Sequence, residues 1–276
     1  MKKTLKTFFL VALAGLSLTM PVAGARADLM IMPVRVVFQA RDRTANVTLV
    51  NVANHKETYR LSWMYQKQKE DGSYTQLPGP IDPAYDPAKM VVYSPRQVIL
   101  AAGEQQNIRL SLRRPADLPD GEYHAHLRFQ AVGAEGSVPG ATSAKGVTTQ
   151  LLIHVGFAIP VMIRQGHYDG TATISDPHFV AATAQSPPEL VVTLNRGGHY
   201  GTTGALKAFW TPPGGTEKQI GLLNNANVFT EVAHRTAHIK LTESRVVGGT
   251  VRVVYQGDGP DKGITYDEKS FPVGGG

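Results

Sequence analysis

The chain has 276 residues, no cysteine and a formal net charge of +6. Without cysteine there is no disulfide framework, no thiolate metal site and no cysteine nucleophile, so burial alone must hold the fold. Lys2, Lys3, Lys6 and Arg26 fall in the first 27 residues and account for four of the six excess charges, leaving +2 on the rest, weak ground for a nucleic-acid partner.

The N-terminus carries three lysines within Met1–Thr7, an apolar run from Phe8 to Met20 and the small-x-small triplet Ala25-Arg26-Ala27. This is the pattern of a secretory signal peptide, expected to be cleaved after Ala27; the apolar run is shorter than the ~20 residues of a spanning helix. No later segment is apolar enough to span a membrane, so the mature chain from Asp28 is expected to be soluble and exported.

Period-2 patterns dominate the mature chain. Val47 and Leu49 alternate with Asn46 and Thr48 in Thr44–Val52; Tyr59, Leu61, Trp63 and Tyr65 alternate with Arg60, Ser62 and Met64; Ile108, Leu110 and Leu112 alternate with Arg109, Ser111 and Arg113. Each run is short and closed by turn residues, as in half-buried antiparallel strands. Leu118-Pro119-Asp120-Gly121-Glu122-Tyr123 has the form of a tyrosine corner, in which a tyrosine at a strand start bonds back to the chain and closes an immunoglobulin-like sandwich; the plainer alternative is a turn before a strand. Residues 132–147, rich in Gly, Ala and Ser, read as a mobile loop.

Thr149–Ile159 alternates strictly, with Leu151, Ile153, Val155, Phe157 and Ile159 on one face. Periodicity alone leaves open whether that face fills its own core or meets another chain. A break falls at Arg164-Gln165-Gly166, after which strand patterns restart at Thr171–Ser175, Leu190–Asn195, Leu206–Thr211, Asn227–Thr230, His238–Leu241 and Thr250–Gln256. The expected organisation is a signal peptide (1–27), an N-terminal sandwich (28–164), a linker (165–167) and a C-terminal sandwich (168–276), all-β, with two immunoglobulin-like domains.

Several segments, in order, resemble one family. They are Met32-Pro33-Val34-Arg35-Val36-Val37-Phe38, Ser94-Pro95-Arg96-Gln97-Val98-Ile99-Leu100 with Gly103, Arg109-Leu110, the tyrosine-corner segment, and Ile159-Pro160-Val161-Met162-Ile163-Arg164. Residues 30–166 resemble the N-terminal domain of periplasmic pilus-assembly chaperones of the chaperone–usher type. The likeness continues more weakly through Leu194-Asn195-Arg196-Gly197, Tyr200-Gly201 and Ile220-Gly221.

The resemblance implies two immunoglobulin-like domains in a boomerang and a non-enzymatic periplasmic chaperone without cofactor. Its partners would be pilin (fimbrial) subunits and an outer-membrane usher, and the free protein would be open to self-association through its donor strand. In this family a strand is lent to a pilin that lacks one, so that main-chain hydrogen bonds bind and side-chain pockets set register. The implied donor residues are Thr149, Leu151, Ile153 and Val155, with Phe157 as an extension. An arginine and a lysine in the family anchor the pilin's C-terminal carboxylate; Arg35 matches the arginine and can offer two parallel hydrogen bonds. Pro160 stands at the lysine position. The second cation is then Arg128 or His124, which share a face of one strand with His126. If it is His124, binding should weaken as pH rises above the histidine's pKa. Arg164 would join an interdomain ion-pair network, with Asp120 as its acidic partner.

Other functions fit the residues less well. His124-x-His126, with His154, suggests a metal-binding sandwich as the alternative, although no cysteine or tight carboxylate–histidine cluster supports a closed zinc site. There is no G-x-S-x-G elbow for a hydrolase. A pilin would be shorter and carry its donor segment at the mature N-terminus.

Overall fold

The computed structural model describes residues 28–132 and 156–274. Residues 1–27, 133–155 and 275–276 lie outside these, and with them the expected signal peptide and loop, His154, and Thr149, Leu151, Ile153 and Val155. The fold is built from strands, with one short helix, α1 (Pro87–Met90), among the described residues.

The first half contains β1 (Leu29–Met32), β2 (Val36–Phe38), β3 (Thr44–Asn51), β4 (Glu57–Gln68), β5 (Tyr74–Leu77), β6 (Val91–Ser94), β7 (Gln97–Leu100), β8 (Gln105–Leu112), β9 (Gly121–Ala131) and β10 (Gly156–Gln165). One sheet runs β1-β3-β8-β6, the other β2-β10-β9-β4, extended by β5 and β7. The first strand of the sandwich is thus split between sheets, β1 pairing with β3 and β2 running parallel to β10. This is the strand arrangement of an immunoglobulin-like sandwich. The alternation read from the sequence places Val47, Leu49, Tyr59, Leu61, Ile108, Leu110 and Leu112 in one core, as expected where one face of each strand is buried.

The second half contains β11 (Thr171–Val180), β12 (Glu189–Gly197), β13 (Gly204–Thr211), β14 (Lys218–Leu223), β15 (His234–Lys240), β16 (Thr250–Gly257) and β17 (Thr265–Pro272). Its sheets are β11-β12-β15 and β14-β13-β16-β17, enclosing a separate core around Leu194, Leu206, Ile239 and Val253.

In the second half, β14, β17 and Asn227–Thr230 differ from the sequence reading. β14 and β17 carry Lys218, Asp267, Glu268 and Lys269 at the two edges of one sheet, where charge is favoured and alternation is weak. Asn227–Thr230 is not a strand; only Val228 forms an isolated bridge, to Thr202. Val228 packs in the second core, and Phe229 is buried for another reason: it packs on His124 and Tyr74 of the first sandwich.

The tyrosine corner is present. The Tyr123 hydroxyl at the start of β9 donates to the Pro119 carbonyl at 3.0 Å. Tyr123→Phe should lower stability by about 1 kcal/mol, the net worth of one such bond. Urea unfolding with an unchanged midpoint would show that the bond contributes nothing.

Candidate functional site

The sandwich formed by β1–β10 has an incomplete edge. β1 pairs with β3 alone. β10 pairs along its whole length with β9, but its register with β2 begins only at Val161↔Val36. Among the described residues, Gly156–Pro160 therefore leave one side of the strand unpaired. Pro160, which has no N–H to donate, sits in that stretch, where proline is tolerated. Met30, Met32 and Val34, along the neighbouring edge, are exposed.

Both edges line one cleft of about 360 Å³, with Leu29, Ile31, Val34 and Arg35 from one and Phe157 to Pro160 from the other. Tyr74 closes one side, and Asn225 and Asn227 of the second sandwich form the far wall. Phe157 and Ile159 point to the first core, Ile159 buried and Phe157 half-buried against it. Leu151, Ile153 and Val155 continue the same odd-numbered parity in the sequence but, with Thr149, lie outside the described residues.

Arg35 sits in this cleft. One step back along the parallel β2–β10 register sets it beside Pro160. Its Nη1 donates to Asn227 Oδ1 at 2.9 Å and its Nη2 pairs with Asp258 Oδ1, both on the second sandwich. Arg128 lies on the same face of β9 as His124 and His126, opposite Ala158. It is half-buried and donates from Nε to Ser62 Oγ at 3.2 Å; no ion pair to it is seen among the described residues.

His124 is placed differently from the cleft residues. It is buried against Phe229, ring centroids 4.8 Å apart, with Nε2 3.5 Å from Glu231 Oε1. That distance allows charge attraction but not a well-formed hydrogen bond, and Nε2 has no other partner among the described residues. The residue opposite Pro160 on β9 is His126, which the sequence singles out for sharing a face with His124 and as part of a possible metal-binding pair, but not as an anchor. Its ring meets Tyr74 edge-on at 5.4 Å and lies near Phe229.

The two imidazoles are driven apart electrostatically. Burial pushes His124 down, but the Glu231 carboxylate, with Glu122 beyond it, more than reverses this and its pKa is raised. Burial, and then the neighbouring His124 charge, push His126 down to about 4, against a weak opposing pull from Glu231. A histidine whose folded pKa is depressed stabilises the fold above its unfolded value of 6.5 and loses that contribution as pH falls toward 4. His124 acts in the opposite sense, contributing below 6.5 and losing its contribution as pH rises past its folded value. The melting temperature should therefore fall between pH 6.5 and 4, and His126→Gln should flatten that fall. Parallel curves for the two proteins would contradict the assignment.

A second cluster joins the two sandwiches. Arg164, at the end of β10, donates from Nε to Glu122 Oε2 at 2.9 Å, and from Nη1 and Nη2 to the two oxygens of Asp261 at 2.5 and 3.0 Å. Its guanidinium also lies over the Tyr168 ring at 4.3 Å. Asp261 further accepts from Thr203 Oγ1 and the Tyr266 hydroxyl. The expectation that Asp120 pairs with Arg164 is thus corrected. Asp120 precedes β9 and sits beside Gly166, whose φ of +88° turns the chain out of β10, while Glu122 lies directly opposite Arg164 in the β9–β10 register. Gln68 adds a third link: its side chain donates to Asn227 O at 3.1 Å and accepts from Phe229 N–H at 2.9 Å.

Among the described residues no group of three or more His, Asp or Glu converges as a metal-binding set, and no helix is long and apolar enough to cross a membrane.

No family model and no curated protein matches the chain. Among solved structures, it is similar to a chain of the Salmonella enterica SafA pilin–SafB chaperone complex at 16% identity, covering 91% of this chain and 99% of that one, with a TM-score of 0.45. The YadV chaperone is similar at 13% identity, covering 90% and 100%, with a TM-score of 0.43. A chain of the CsuC–CsuE chaperone–tip adhesion subunit complex of Acinetobacter baumannii is similar at 14% identity, covering 90% and 99%, with a TM-score of 0.43.

Proposed function

We propose that this protein is an exported, non-enzymatic chaperone of the periplasm that lends the strand from Thr149 to Phe157 to a pilin-type subunit missing one strand of its own sandwich. The observation that carries this reading is the unpaired leading half of β10, set with the β1 edge in a cleft that holds Arg35. An open edge with apolar neighbours is an aggregation hazard unless something pairs with it. Addition of a partner strand would satisfy its backbone groups, and pockets for alternate side chains would set the register.

In this reading Thr149, Leu151, Ile153 and Val155 enter the partner's groove, with Phe157 as the hinge between donor and core. Arg35 binds the partner's C-terminal carboxylate, and an outer-membrane usher receives the complex. The second cation is better assigned to Arg128 than to His124. Arg128 is half-buried beside Ala158, whereas His124 is buried beneath Phe229 and already faces Glu231. The domains are taken to divide at residues 165–167, with Arg164 as a structural link, and residues 1–27 to be removed on export.

Co-expression with a pilin-type subunit in the periplasm tests the proposal. The expected product is a soluble one-to-one complex. A folded chaperone recovered alone, with the subunit aggregated or degraded, would reject it.

A further inference from the structure

Two arginine–aspartate pairs join the sandwiches, and they are built differently. Arg164 meets both oxygens of Asp261, and each side chain is 2% exposed. Arg35 meets only Oδ1 of Asp258, and although Arg35 is 8% exposed, the Asp258 side chain is 39% exposed. The first pair is a fixed element of the interface. The second is a one-oxygen, half-solvated contact, a kind that adds little in water and is readily exchanged.

The loop carrying Asp258 is held independently of that carboxylate. Its backbone N–H donates to Thr203 O at 3.3 Å, and its carbonyl accepts from Asp261 N–H at 3.0 Å. The carboxylate is therefore free to turn away while the loop stays in place. Gly259, with a φ of +55° in the left-handed region that favours glycine, turns the chain just after Asp258 beside the guanidinium. Asn227 holds the other arm, Nη1, from a buried position.

We propose that Asp258 is a built-in stand-in for the partner's C-terminal carboxylate. In the free protein it neutralises Arg35, which would otherwise be a nearly buried, unpaired cation. An arriving carboxylate that offers both oxygens makes the stronger, two-bond contact and displaces it. Asn227 keeps the guanidinium aimed during the exchange. A ligand ending in a neutral group gains nothing from Arg35 and leaves Asp258 in place, so the exchange favours a true chain terminus. This inference rests on the reading of Arg35 as the carboxylate anchor.

The test uses the full mature chain and a synthetic peptide of alternating valine and threonine, with either a free carboxylate or an amide at its C-terminus. Fluorescence polarisation gives the affinity for each. Asp258→Asn should bind the acid peptide about 2–5-fold more tightly, the order expected when a weak competing ion pair is removed, and the amide unchanged. Asp258→Ser should do the same, and thermal melts of both variants confirm folding. Arg35→Ala should bind the two peptides equally. Unchanged acid-peptide affinity in both Asp258 variants, with the wild type still preferring the acid peptide, overturns the stand-in role and leaves the anchor standing. Equal affinity of the wild type for acid and amide overturns the anchor, and the stand-in with it.

Discussion

Replacing Arg164 with alanine is expected to destabilise the mature chain by about 3–5 kcal/mol, the usual cost of breaking a buried ion pair from one side. The loss would not reflect the worth of the pair alone. Glu122 and Asp261 would be left as buried carboxylates facing each other with no cation between them, and an uncompensated buried charge is the dominant penalty. The contact with Tyr168 and the hydrogen bond to Gly201 O would go as well. Urea unfolding followed by far-UV circular dichroism measures this. Because the residue ties one sandwich to the other, the single transition should also broaden or split. A midpoint shift equivalent to less than about 1 kcal/mol, the range of an exposed pair, would mean that the cluster is solvated in practice.

Ile153→Asp is expected to abolish subunit capture, reducing the yield of complex by roughly 100-fold or more, while the protein alone remains folded. The proposed groove takes alternate side chains from one face of the donor strand, and Ile153 is central among Leu151, Ile153 and Val155. A carboxylate there would have to be buried without a partner in an apolar groove, or the strand would have to slip in register. A slip of one residue would present Leu152, His154 and Gly156 instead, and a slip of two would displace the partner terminus from Arg35. Pull-down of a tagged subunit, with a melting curve of the variant as control, reads the outcome. Normal capture would remove Ile153 from the interface.

The sheets are largely legible in the sequence because their central strands alternate. Val47 and Leu49, or Ile108 and Leu110, have one face buried in a continuous core and the other solvated, and that contrast is what periodicity detects. β14 and β17 escape it because edge strands carry charge on a pattern set by solvent rather than by a core. Asn227–Thr230 misleads for the converse reason. Phe229 is buried by the contact between sandwiches, which has no sequence period, and Val228 fills the second core from a single isolated bridge.

The candidate site divides in the same way. Arg35 and Pro160 sit just before the first paired residues of the parallel β2–β10 register, so motif order is enough to bring them together. Asn227, Asp258 and Asp261 stand 192, 223 and 97 residues from the arginines they meet. Only docking of the two sandwiches sets those pairings, and no local pattern encodes them. Asp120 is the acidic residue that motif order offers to Arg164, but Glu122 is the one the β9–β10 register sets directly opposite it. His126 carries a usable signal: its parity with His124, and its place opposite Pro160 once the β9–β10 register is known.

Amide hydrogen exchange across residues 149–160, measured in the free protein and in its one-to-one complex with a pilin-type subunit, tests the lending of this strand most directly. The expected result is a strong gain of protection on binding, concentrated in that segment and on the adjoining β1 edge. Binding that leaves residues 149–160 as fast as before, with protection elsewhere on the molecule, would contradict it.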